Sequence, residues 1–205
     1  VSGIAWNLPL SKIMRREDVA AILKLAREND LRDYAFFATG ANTALRLSEV
    51  VHLRVEAMDG DELTIQRRKK RRLEDETILI SASLRTVLKD WCAKKGRKGW
   101  VFPGESGPCV IHRASGQADQ ICDGGHVSRR EMQRRWSAYR GVAGLDAKGR
   151  GIHSLRHYGI TEFYRENKDL RAAQIYAGHS SSAVTERYAH VLEMEEMLKK
   201  VKPTL

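Results

Sequence analysis

Apolar residues recur at helical spacing along most of the chain and give way once to strict alternation. From Arg16 to Asn29, Val19, Ile22, Leu23, Leu25 and Ala26 mark one stripe, and acidic Glu17 and Asp18 stand at the start, where the helix dipole favours negative charge. A second helix is predicted over Leu31 to Thr39. A third, Thr43 to Leu53, turns Leu45, Val50 and Leu53 inward and leaves Arg46 and Glu49 together on another face.

Between Asp59 and Ser81 the period changes to two, with Leu63 and Ile65 on one side of a basic turn and Ile78 and Ile80 on the other, so a β-hairpin or meander is expected. Its tip, Arg67-Arg68-Lys69-Lys70-Arg71-Arg72, carries six consecutive positive charges. Such a run stays solvated unless it meets phosphate. Ser83 to Lys95 is again an amphipathic helix. Gly96 to Gly125, rich in Gly, Ser and Pro, reads as loop with a short strand at Trp100 to Phe102. Helices return at Ser128 to Gly141, with Ser128 as N-cap and Glu131 three residues on, and at Ser154 to Arg165, Leu170 to Tyr176 and Ser181 to Lys200.

A chain of 205 residues, 42% hydrophobic, can bury one substantial core, so a single domain is expected. The formal charge of +10 favours a polyanionic partner, with DNA, RNA and anionic membrane all open on charge alone. No stretch approaches the roughly 20 apolar residues needed to span a bilayer, and the start lacks the layout of a secretory signal. Three cysteines, Cys92, Cys109 and Cys122, make no disulfide framework. A soluble protein of a reducing interior is expected.

Three segments place strong hydrogen-bond donors beside small or capping residues: Arg46 with Glu49, His153 with Arg156, and His179 with Tyr188. Each alone is commonplace. Together they meet the needs of phosphodiester cleavage without metal: a nucleophile, cations around a pentavalent phosphorus, and an acid for the leaving 5′ oxygen. Two arginines suit the two non-bridging oxygens, because a guanidinium donates as a planar fork and stays charged at working pH.

Arg46, then His153-x-x-Arg156, then Gly178-His179 and Tyr188 nine residues later, with Leu155-Arg156-His157 and His190 flanking, resembles the tyrosine recombinase (phage integrase) family, from about Leu8 to the C-terminus. The resemblance implies an α+β, mainly α-helical catalytic domain with a small antiparallel three-stranded β-sheet. It also implies roles: Arg46 and Arg156 grip the scissile phosphate, His153 acts in proton transfer, and His179 donates to a non-bridging oxygen. Tyr188 attacks and becomes joined to the 3′ phosphate. Glu49 orients Arg46. A hairpin lysine protonates the leaving oxygen; Lys69 is the choice, four residues past Ile65, with Lys70 as the alternative. His157 counts as support for the pattern, and Trp136 as core. One departure is Ala44, where many members have glycine two residues before the first arginine.

Arg67, Arg68, Lys70, Arg71 and Arg72 are expected to contact phosphate or groove, as is a basic surface of Arg129, Arg130, Arg134 and Arg135. Cys109-x-x-His112 and Cys122-x-x-x-His126 resemble zinc half-sites, but the family chemistry needs no metal, and neither metal nor cofactor is expected. The implied partners are double-stranded DNA and further copies of the chain, a tetramer on two DNA sites, in the cytoplasm at the nucleoid. The segment from 191 to 205 either packs on a neighbouring protomer, as the resemblance implies, or folds back on its own domain. Residues 1–205 are read as the catalytic domain alone. The N-terminal clamp domain of the family is expected to be absent, through truncation or in a short natural member. A type IB topoisomerase or telomere resolvase shares the chemistry, and a non-catalytic DNA-binding module shares the surface. An RNA-binding protein lacks support, since no aromatic stacking signature is present.

Overall fold

The computed structural model describes the backbone at residues 14–69, 72–95, 98–104, 109–112, 118–122 and 125–200, with side chains at all of these except 68, 69, 72, 95, 109–112, 118–122, 191 and 194–200. Helices α1 (Arg16–Asn29) and α2 (Leu31–Thr43) are separated by Asp30, whose carboxylate caps α2 by accepting from the Arg32 N–H at 2.8 Å. Helix α3 (Leu47–Val51) follows. The expected helix from Thr43 to Leu53 is thus cut down. Ala44 takes a left-handed conformation (φ 52°) that ends α2, and Arg46 precedes α3 as its N-cap. Leu45, Val50 and Leu53 are nevertheless all buried.

The alternating stretch forms β1 (Met58–Asp59), β2 (Glu62–Lys69) and β3 (Arg72–Leu79), an antiparallel sheet in the order β1-β2-β3. Leu63 pairs with Ile78 and Lys69 with Arg72. Helix α4 (Ala82–Lys95) follows. The Gly-rich stretch is not all loop: β4 (Cys109–His112) and β5 (Ala118–Cys122) pair antiparallel, while Trp100 forms an isolated bridge to Arg54 and Pro103 one to His126. Glycine content masked this second hairpin. The remaining helices are α5 (Arg129–Val142), α6 (Ser154–Asn167), α7 (Leu170–Ala177) and α8 (Ser182–Lys200). Ser128 caps α5 by accepting from the Glu131 N–H, as its position predicts.

The core is aromatic at its centre. Phe36 meets Phe102, and Phe37 meets Trp136, edge to face at centroid distances of 4.9 and 5.1 Å. Trp136 is fully buried and its indole N–H donates to the Arg150 carbonyl. Each such side chain contributes on the order of 2 kcal/mol through burial. Beside this core, Asp33 is fully buried on α2, and Arg135 of α5 reaches it at 2.7 Å while also meeting Asp30 and Glu131. Arg135 therefore belongs to the structure rather than to a DNA-facing surface.

Helix α6 runs against the end of α2, and Gly159 permits the approach, since a Cβ there would lie 2.6 Å from the Ala41 carbonyl oxygen. That contact, one turn from Arg156, brings the second arginine of the sequence pattern up to the first.

Candidate active site

Arg46 is fixed by a residue three positions on. One carboxylate oxygen of Glu49 accepts the Arg46 backbone N–H at 2.6 Å, and the other accepts its guanidinium at 2.8 Å. The fork keeps part of its surface open to solvent. Glu49 is itself buried, so its geometry is held from behind.

Arg156 is buried, and its two arms end on helix termini: one donates to the carbonyl of Ala44 and the other to that of Ala177 at 2.7 Å. Carbonyls at helix C-termini lack intrahelical partners and carry partial negative charge, so they satisfy a guanidinium without neutralising it. The carbonyl at position 44 is a backbone group that glycine would offer equally, so the departure from glycine there touches packing rather than this contact. Burial first, then the cations Arg46 and Arg67, lower the Arg156 pKa to about 10, which leaves it charged at neutral pH.

Gly178 ends α7 in the left-handed region (φ 61°), and the His179 N–H turns back to the Gln174 carbonyl at 3.1 Å. This cap aims His179, whose Nδ1 meets the Thr185 hydroxyl at 2.9 Å. Burial, with Arg156, Arg46 and Arg67 adding repulsion, pushes the His179 pKa down to about 4. The ring is therefore neutral at neutral pH. His153 stands at the start of α6, exposed on one side; partial burial and then Arg156 lower its pKa.

Tyr188 on α8 is almost wholly buried, and its hydroxyl lies 2.7 Å from Nδ1 of His157. Its ring stacks near His179 at 6.3 Å. Burial raises the phenol pKa against opposing pulls from Arg156 and Arg187. Four segments distant in sequence therefore converge, with Arg46, His153, His179 and Tyr188 all close enough to Arg156 to interact with its charge.

The hairpin meets this cluster through an unexpected residue. Arg67 is buried rather than solvated, 2.8 Å from Glu76 and 3.8 Å from Glu49, and its guanidinium fills the space a side chain on Gly178 would need. It is thus not a DNA-facing arginine, and Arg67 rather than Ile65 is the last inward residue seen on β2. Strand parity from Leu63 and Ile65 carried that signal. Lys69 ends β2, but its side chain, those of Arg68 and Arg72, and residues Lys70 and Arg71 lie outside the described residues. So do the side chains of Cys109, His112 and Cys122 and those of most of the segment after Leu192. On α5, Arg129, Arg130 and Arg134 are exposed. His157, counted only as support, contacts the Tyr188 hydroxyl; its place one turn after His153 was the available clue.

The model of the phage integrase family matches residues 12–195. An integrase/recombinase of Sinorhizobium fredii is 27% identical over 163 residues, covering 79% of this chain and 47% of its own length. The tyrosine recombinase XerD of Bradyrhizobium diazoefficiens is 29% identical over 219 residues, covering 94% of this chain and 63% of its own. The chain thus spans about half to two thirds of these relatives. Among solved structures, the XerH site-specific recombinase bound to its palindromic difH substrate in a post-cleavage complex superimposes with a TM-score of 0.69 at 17% identity, over 95% of this chain and 55% of that one.

Proposed function

The chain belongs to the phage integrase family, and from that membership we propose that it is the catalytic domain of a site-specific DNA recombinase that cleaves and rejoins strands through a 3′-phosphotyrosine. The observation that carries this reading is Arg156, held by two helix-end carbonyls while Arg46, His153, His179 and Tyr188 gather around it.

In this reading Arg46 and Arg156 take the non-bridging oxygens of the scissile phosphate, and neutral His179 adds a ring N–H. Tyr188 attacks phosphorus. Lys69, at the end of β2, protonates the leaving 5′ oxygen, with Lys70 the alternative, and His153 assists proton transfer at the open side. Bond energy is conserved in the phosphotyrosine, so rejoining by a 5′ hydroxyl draws on no nucleotide or metal. The DNA is double-stranded and four copies act on two sites, in the cytoplasm at the nucleoid; Arg129, Arg130 and Arg134 contact phosphate. Among the described residues no helix is long and apolar enough to cross a membrane.

The test is a nicked duplex carrying candidate sites, incubated with wild type or Tyr188→Phe in EDTA and denatured. A protein–DNA adduct with wild type alone is expected. Clear binding to the cognate site without adduct would instead mark a DNA-binding module.

A further inference from the structure

A buried phenol whose pKa is raised is a poor nucleophile, so attack on phosphorus needs somewhere for its proton to go. Among the catalytic candidates, His153 makes no hydrogen bond to the phenol among the described residues, and His179 turns its Nδ1 to Thr185 while its ring lies nearly parallel to the Tyr188 ring. The Tyr188 hydroxyl instead meets Nδ1 of His157 at 2.7 Å, well within the range for a proton passed along an existing hydrogen bond. His157 sits on α6 next to Arg156, so the helix that carries the phosphate-binding guanidinium also carries this imidazole.

We propose that His157 is a catalytic residue, the base that takes the phenolic proton of Tyr188 during cleavage and returns it during rejoining. This rests on the recombinase reading above. As the Tyr188 oxygen bonds to phosphorus, its O–H bond breaks and the proton passes to Nδ1 of His157. The bond from phosphorus to the 5′ oxygen breaks, and that oxygen takes a proton from the hairpin lysine. In rejoining, the 5′ hydroxyl gives its proton back to the lysine, and imidazolium His157 protonates the departing phenolic oxygen. Resting His157 must therefore be neutral, with its proton on Nε2 and a lone pair on Nδ1.

Three variants and two substrates separate this role from its competitors. Asparagine at 157 keeps an acceptor near Nδ1 but takes no proton at neutral pH, whereas alanine removes both. The substrates are nicked duplexes with an ordinary scissile phosphate or with sulfur in place of the bridging 5′ oxygen, a leaving group that needs no acid. His157→Asn and His157→Ala should both slow adduct formation by roughly 10²- to 10⁴-fold on either substrate. Lys69→Ala should be slow on the ordinary substrate and recover on the sulfur one. Wild-type cleavage by His157→Asn, or recovery of His157 variants with sulfur, would overturn the proposal. Nitrogen-15 NMR of wild type needs no substitution: Nδ1 of His157 found protonated in the free enzyme at the cleavage pH would overturn it too. No adduct from wild type on any substrate would instead count against the recombinase reading itself.

Discussion

The guanidinium of Arg67 occupies the space beside Gly178, so that a Cβ built on that glycine would fall 1.8 Å from Arg67 Nη1. The contact ties the hairpin strand to the cap that aims His179. Gly178→Ala must displace a buried arginine held by Glu76 and adopt a left-handed backbone (φ 61°) as well. A loss of about 2–3 kcal/mol is expected, read as a lower urea midpoint with unchanged slope. An unchanged midpoint would mean that Arg67 does not pack there.

Ala44 and Ala177 are both fully buried, and each lends its carbonyl to Arg156, yet glycine should affect them differently. At Ala177, the last residue of α7 and without a left-handed backbone to relieve, Ala→Gly loses a buried methyl and part of the helix propensity, about 1–1.5 kcal/mol together. At Ala44, release of the left-handed strain (φ 52°) offsets that loss, and the change should stay within about 0.5 kcal/mol of wild type. Equal losses in paired denaturant titrations would remove the strain argument.

Arg135→Ala would strip the closest cation from fully buried Asp33. A cost of about 3 kcal/mol is expected, and a melting temperature lower by roughly 6–12 °C. Exposed Arg134→Ala should leave melting unchanged and weaken DNA binding at every salt concentration, with a shallower salt dependence. Reversal of the two phenotypes would return Arg135 to the DNA surface.

His179 should titrate near pH 4 in the folded protein, against about 6.5 when unfolded. The unfolded chain then binds more protons between these values, so this group's contribution is complete above about pH 6.5 and declines as pH falls toward 4. Ring NMR signals of His179 inflecting near 6.5 would contradict its desolvated setting. In His179→Gln the loss of stability between pH 7 and 4.5 should be smaller than in wild type.

Order and spacing made the fold class, the sheet and the convergent pairs legible, since periodicity reports which face is buried and the motif residues are close in sequence within each segment. Arg67 and Arg135 were misplaced because most of the carboxylates that hold them are distant in sequence. Asp33 lies 102 residues before Arg135, and although strand parity turns Arg67 inward, nothing in the basic run itself points to the Glu49 and Glu76 carboxylates that enclose it. The Gly-rich stretch hid β4 and β5 because glycine signals a turn as readily as a hairpin's ends. The left-handed turn at Ala44 was invisible for the opposite reason: alanine is the strongest helix former, and the close approach of Gly159 to this end of α2 comes from a segment more than a hundred residues away.

Helix α8 runs unbroken from Ser182 to Lys200 and carries Tyr188 into the same core that holds Arg156 and His157. In the proposed recombinase reading, the attacking oxygen and the groups that receive the phosphate therefore travel on one polypeptide. Copies sharing a DNA substrate would not lend each other parts: a Tyr188→Phe copy mixed with an Arg156→Ala copy should yield no more cleavage than either alone, each defective subunit silencing the strand on which it sits.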